Sequence, residues 1–202
     1  MRLHDGSRIE SEAEGVRGVP RLHLVEECDG HATAVPGVVL AVTVADCVPV
    51  FIVDARRRAV AAVHAGWRGA ALGVLEQGLE TMARAFGSRP ADVDVHLGPS
   101  ICAECYEVGP EVFDALGQAV PHGPTPIDLR RILGERATHA GVGVDRITVS
   151  THCTRCTGSG LFSHRGGEAH RQVGYVGVRG GPAGSSPGDR GPVTRDPQGQ
   201  TE

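Results

Sequence analysis

The sequence predicts a layered α/β domain, and three observations lead there. Short Val-rich segments bounded by turn residues recur through the middle of the chain. Between them runs an apolar stripe at spacings of three and four, the period of a helix packed on one face. The two kinds of segment alternate, as they do where strands and helices pack in layers.

Taken in order, GVVLAVTVA (37–45), VPVFIVD (48–54) and AVAAVHA (59–65) read as short buried strands. Leu72, Leu75, Leu79, Met82 and Phe86 then mark one face of a helix. DVDVHLG (92–98) alternates cleanly and reads as a strand. Pro110 suits the first turn of a helix carrying EVFDAL, and Gly117 suits its end. A further helix is expected over Asp128 to His139, then strands at RITVS (146–150) and QVGYVGV (172–178). We expect one domain over residues 1–178 with no internal repeat. The segment from Arg179 to Glu202 is rich in Gly, Pro and polar residues, buries too little apolar surface to offset ordering, and is expected to be a disordered tail.

Composition narrows the function classes. A chain of 202 residues can bury a real core without disulfides. A net charge of -4 with no basic cluster gives no electrostatic case for a nucleic-acid partner or an anionic membrane. The longest apolar run, Val38 to Val44, is too short to span a bilayer, and the first residues lack the apolar core of a secretion signal. The default address is cytoplasmic, where the six cysteines should be mostly reduced and act as ligands, nucleophiles or core residues.

Three segments carry residues poorly suited to structure alone. VADCVPV sets Asp46 and Cys47 between two apolar strands. VHAGWRGAALG ends a strand on His64 and places Trp67 before Arg68. HLGPSICAECYEVGPEVF is a glycine- and cysteine-rich connection around Glu107. A Cys and a His at the ends of neighbouring strands suit two jobs. The imidazole can draw the thiol proton to leave a nucleophile, or both can ligate Zn²⁺ with a third protein ligand and an open position. The structural alternative is a buried Cys acting as a small hydrophobe beside a hydrogen-bonded core His. Gly66 and Gly69 permit a tight turn whose following helix would aim free N–H groups toward His64, with Arg68 supplementing an anion site.

TVADCVPVFIVD, VAAVHAGWRGAALGVLE, LGPSICAECYEVGPEV and LFSHRGGEAHRQVGYVGV together resemble the laccase-domain family, also called YfiH-type or multicopper polyphenol oxidase, over roughly residues 36–178. The resemblance implies a layered α/β/β/α sandwich with mixed sheets, grouped with cytotoxic-necrotizing-factor-like cysteine hydrolases. It implies a zinc site, with copper as an alternative metal, built from one Cys and two His. Cys47 matches the Cys of the family's ADC and His64 the His of HAGWRG. The remaining ligand normally lies in an upstream QVHG-like motif, which RLHDGSRI resembles, nominating His4. Leu3 stands there for Val and Asp5 for Gly, and His23 and His31 are the alternatives, although DGHAT aligns with a non-ligand loop. Members carry several dozen residues before that motif, so the chain is expected to be N-terminally short. The C-terminal block normally reads FFSYRRDG…GR; here Ser163, His164 and Arg165 keep its shape, and His170 replaces the Gly before Arg171. Arg165 and Arg171 are expected to face substrate or to pair with surface carboxylates.

The function implied is that of a purine nucleoside enzyme: phosphorolysis of adenosine, inosine, guanosine and methylthioadenosine, and deamination of adenosine. Its partners would be a nucleoside and phosphate, with Cys47 and His64 catalytic, Arg68, Arg165 and Arg171 gripping substrate or phosphate, and Glu107 or Asp46 as candidate general acids. A peptidoglycan-precursor amidase using Cys47 and His64 remains an alternative, as does a non-catalytic binding module. Copper oxidase chemistry ranks low, because the ten His include no His-x-His pair. Cys102 with Cys105, and Cys153 with Cys156, form two CxxC pairs that suit a second, tetrathiolate metal site if the fold brings them together, with a redox pair or ordinary loop cysteines as the alternatives. Cys28 stands alone.

Overall fold

The computed structural model describes residues 28–180 and the backbone of Leu3 and His4. Its centre is a sheet of β1 (Leu3–His4), β2 (Gly30–Thr33), β4 (Val48–Asp54), β5 (Ala59–Ala65), β6 (Asp94–Leu97) and β9 (Ile147–Val149). The spatial order is β1-β2-β5-β4-β6-β9, with the outermost pair at each edge parallel and the inner pairs antiparallel. β3 (Val39–Val44) and β10 (Gln172–Gly177) form a separate antiparallel pair.

Both faces of the central sheet are covered, which explains the unbroken apolar run of β5. One face, carrying Val50, Ile52, Ala61, Val63, Val95 and Leu97, belongs to the main core with α2 (Val74–Phe86) and α4 (Leu129–His139). Leu75, Leu79 and Met82 are buried there, and Gly87, at φ 68°, caps α2 by donating to the Ala83 carbonyl. Asp128 caps α4 by accepting from the Arg131 N–H. The other face, with Val60 and Ala62, meets Leu40 and Val42 of the β3/β10 pair. A Cβ on Gly174 would stand 2.9 Å from the Phe51 ring, so the glycine sets how closely the sheets approach. The outer face of β3/β10 is exposed at Val39, Val173 and Tyr175.

The strands of the sequence reading stand within a residue or two of their expected limits. Three points differ. Leu72 does not join the apolar face of α2: it follows a separate short helix, α1 (Trp67–Ala71), and is 66% exposed, because left-handed Gly73 breaks the run. GHAT is not a loop but strand β2, since its backbone completes the ladder beside β5. The short strands β7 (Glu107–Val108) and β8 (Thr125–Pro126) pair with each other and carry no periodicity to betray them. α3 (Pro110–Ala115) begins on Pro110 as expected. The segment expected to be a disordered tail lies outside the described residues, apart from Arg179 and Gly180.

Candidate functional site

The turn joining β3 to β4 holds Asp46 at φ 80°, a left-handed conformation that Asp tolerates better than most residues. Such a backbone costs about 1–2 kcal/mol. Three bonds offset it. Oδ1 of the buried carboxylate accepts the Thr154 hydroxyl at 2.6 Å, Oδ2 accepts the Arg165 N–H at 2.7 Å, and the Asp46 carbonyl accepts the Ile101 N–H at 3.1 Å. Asp46 thus gathers three distant loops around Cys47. With both carboxylate oxygens engaged, Asp46 holds these loops in place beside Cys47.

In the antiparallel register Val48 faces Ala65 and Pro49 faces His64, so Cys47 falls level with Gly66. His64 is then its diagonal neighbour on the same sheet face. A Cβ at Gly66 would stand 3.0 Å from the Cys47 sulfur, so this glycine leaves room for the thiol. Burial pushes the Cys47 thiol up, Asp46 adds to this, and Arg171 opposes it. Burial pushes His64 down against the pull of Asp29, whose carbonyl accepts the His64 N–H at 2.7 Å. Near neutral pH the two groups are a thiol and a neutral imidazole, a pair whose donor chemistry suits zinc once the thiol loses its proton.

The backbone of His4 pairs in parallel with β2, level with His31. His31 directs its ring at Cys28, with sulfur–nitrogen distances of 3.7 and 3.8 Å. His23 lies outside the described residues. Among the described side chains no third His, Cys, Asp or Glu is grouped with Cys47 and His64 within metal-ligating reach.

The arginines converge on the same region. The Arg165 guanidinium donates to the Glu107 carbonyl at 2.8 Å and lies 5.1 Å from the Tyr106 ring centre. Arg171 donates to the carbonyls of Ala169 and His170. Among the described residues neither forms a salt bridge. Arg68 stacks on Trp67 at 4.4 Å, but α1 has only five residues, too few to aim a strong dipole at His64. Burial and then Cys47 push the Tyr106 hydroxyl up to about 12, while Arg165 and Arg68 draw it down. Tyr106 therefore shares one electrostatic neighbourhood with Cys47 and two of the arginines. A cleft of about 480 Å³ opens alongside, lined by Thr154, Ser159, Phe162, Ser163 and Glu168 among others.

The two CxxC pairs meet. Cys102, Cys105, Cys153 and Cys156 bring their sulfur atoms within 4.8 Å of one another, and a metal ion could be held among them. Burial raises Cys153, but N–H donors from Cys102, Arg155 and Cys156 outweigh it and bring that thiol down to about 6.

The sequence profile of the family described as multi-copper polyphenol oxidoreductase laccase matches residues 3–179. The chain belongs to that family. It is 36% identical over 152 residues to adenosine deaminase RL5 from an unknown prokaryotic organism, covering 70% of this chain and 58% of that relative. It is 39% identical over 153 residues to a purine nucleoside phosphorylase of Mycobacterium bovis, covering 72% and 60% respectively. Among solved laccase-family structures, YlmD from Geobacillus stearothermophilus superposes with a TM-score of 0.72 at 32% identity, covering 76% of this chain and 62% of that one. Bacillus licheniformis YfiH gives 0.71 at 34%, covering 75% and 61%. The chain thus spans about three fifths of the length of these relatives.

Sequence reasoning missed Tyr106, Thr154 and the β2 strand. Thr154 lies inside the CTRC motif, where the cysteines drew attention away from it. Tyr106 follows Cys105 directly, and being one of only two tyrosines was its one available signal.

Proposed function

We propose that this chain carries the catalytic core of a purine nucleoside enzyme, phosphorolysing nucleosides and deaminating adenosine. The observation that carries this reading is the gathering of Cys47, His64, Tyr106 and three arginines at one end of the central sheet around Asp46. The relatives named purine nucleoside phosphorylase and adenosine deaminase supply the chemistry.

Phosphorolysis requires a phosphate oxygen to attack the sugar carbon as the bond to the purine nitrogen breaks. Arg68, Arg165 and Arg171 offer guanidinium groups for the phosphate, the planar fork suited to oxyanions. Deamination requires water to add at the ring carbon bearing the amino group, with departure of ammonia. His64, held neutral by burial, has the protonation state of a metal ligand or a proton acceptor. Cys47, His64 and His4 are proposed to hold zinc, and the register that brings the His4 backbone beside β2 supports the third member. When bound, zinc supplies Lewis acidity and lowers the pKa of water. Copper would fit the same donors less selectively.

The exposed apolar outer face of β3/β10 supports an α/β/β/α sandwich in which a further helical layer covers Val39, Val173 and Tyr175. Residues 1–178 are proposed as one catalytic domain. No helix among the described residues is long and apolar enough to cross a membrane, and the cysteine-rich site suits a cytoplasmic, reducing location.

The test is incubation of the zinc-loaded protein with adenosine, with and without phosphate, followed by chromatography. Adenine formed only with phosphate, or inosine formed without it, supports the reading. Absence of both, with release of an amino acid from a peptidoglycan precursor instead, would replace it with the amidase.

A further inference from the structure

The four cysteines at the far side of the Asp46 turn serve no step in nucleoside chemistry. We propose that Cys102, Cys105, Cys153 and Cys156 bind one structural zinc ion as a tetrathiolate. This metal would lock the loop before β7 to the loop after β9 and so hold Asp46, and through it Cys47, in place.

The spacing points to a shared metal. In a tetrahedron with zinc–sulfur bonds of about 2.3 Å, neighbouring sulfurs lie about 3.8 Å apart. The Cys156 sulfur stands 3.8 Å from that of Cys102 and 3.8 Å from that of Cys105. A disulfide needs a sulfur–sulfur distance of about 2.05 Å to a single partner. Equal distance to two partners is what a common ligand centre produces.

The surroundings suit a thiolate cluster. The Cys153 sulfur accepts the N–H groups of Cys102 and Arg155, each at 3.3 Å, so backbone dipoles already face the position of negative charge. Four thiolates around a divalent ion carry a net charge of about -2, each thiol having released its proton to solvent. Arg155 donates to the Cys105 carbonyl, and the buried Arg130 donates to the carbonyls of Ser150 and His152, setting two cations beside the ligand loops. The loops are otherwise joined by little backbone pairing: an isolated bridge between Ser100 and Cys153, and the Thr154 N–H donating to the Ser100 carbonyl at 3.1 Å.

The connection to the other site is short. Cys102 follows Ile101, which donates to the Asp46 carbonyl, and Cys153 precedes Thr154, which donates to the Asp46 carboxylate. Each half of the cluster is therefore one residue from a bond to Asp46, and losing the metal would loosen both.

The experiment uses the full chain carrying Cys47→Ala, which removes the proposed Cys47–His64 metal site while leaving the cluster intact. The protein is loaded with Zn²⁺ under reducing conditions, desalted and analysed for metal. One retained ion per chain is expected, falling to almost none when Cys156→Ser is added. In the unmutated chain, mapped alkylation should find all four cysteines protected by zinc and released together by a chelator. Cobalt substitution should give the intense visible bands of a tetrahedral thiolate complex. The proposal is overturned if the Cys47→Ala protein retains no metal. It also fails if exposed Cys156 alkylates equally fast with and without zinc, or if the pairs are recovered as disulfides from reduced-handled protein. These readouts do not involve nucleoside turnover, so either idea can fail alone.

Discussion

The Asp46 carboxylate accepts the hydroxyl of Thr154 at 2.6 Å across 108 residues of sequence, and both groups are buried. Removing either side strands the other. Thr154→Val should leave Oδ1 of a buried carboxylate short of a donor, costing about 1–3 kcal/mol. Asp46→Ala should cost more, because it also strands the Arg165 N–H and puts alanine at a left-handed φ. Denaturant unfolding of the two variants and their double mutant measures the coupling, and simple additivity would mean the bond stabilises nothing.

Gly66→Ala tests the geometry of the thiol. The Gly66 φ of -80° is open to alanine, so the backbone should accept the change at little cost to stability. Its Cβ would crowd the Cys47 sulfur at 3.0 Å, and a displacement of even 1 Å at a reacting or ligating group can cost about 10²-fold in rate. We expect near-native melting with greatly reduced turnover and weaker metal retention. Unchanged turnover would place Cys47 outside the working site.

Arg165→Ala separates the two proposed reactions. Loss of a charge-assisted contact to phosphate, worth about 1.5–3 kcal/mol, should raise the phosphate KM by roughly ten- to a hundredfold. Adenosine deamination uses no phosphate and should fall far less. Steady-state kinetics with phosphate varied will decide, and equal losses in both reactions would assign Arg165 a structural task through Glu107 and Tyr106 instead.

Gly174→Val probes the contact between sheets. The new side chain would meet the Phe51 ring at 2.9 Å and Pro49 at 3.2 Å. Overpacking of this kind costs about 1–3 kcal/mol. Thermal unfolding should show the loss, whereas a neutral result would mean that the β3/β10 pair shifts freely over the central sheet.

The features governed by local physics are legible along the chain. Strands β4 and β5 carry near-continuous apolar runs because both faces are covered, and α2 shows its stripe because only one is. Pro110 and Asp128 announce helix starts through fixed φ and a side-chain acceptor, which are properties of single residues. The CxxC pairs stood out by their own spacing, whereas Cys47 and His64 became candidates through the resemblance of the motifs that hold them. Which distant residues meet is set by the assembled fold. Nothing local could reveal that GHAT pairs as β2, since its four residues gain their order from β5. Nor could any pattern join Thr154 and Arg165 to Asp46, or bring the Cys156 sulfur equally close to those of Cys102 and Cys105. Those contacts involve side chains on segments folded back from more than fifty residues away, and their specificity resides in the shape of the assembled sheet rather than in any stretch of chain.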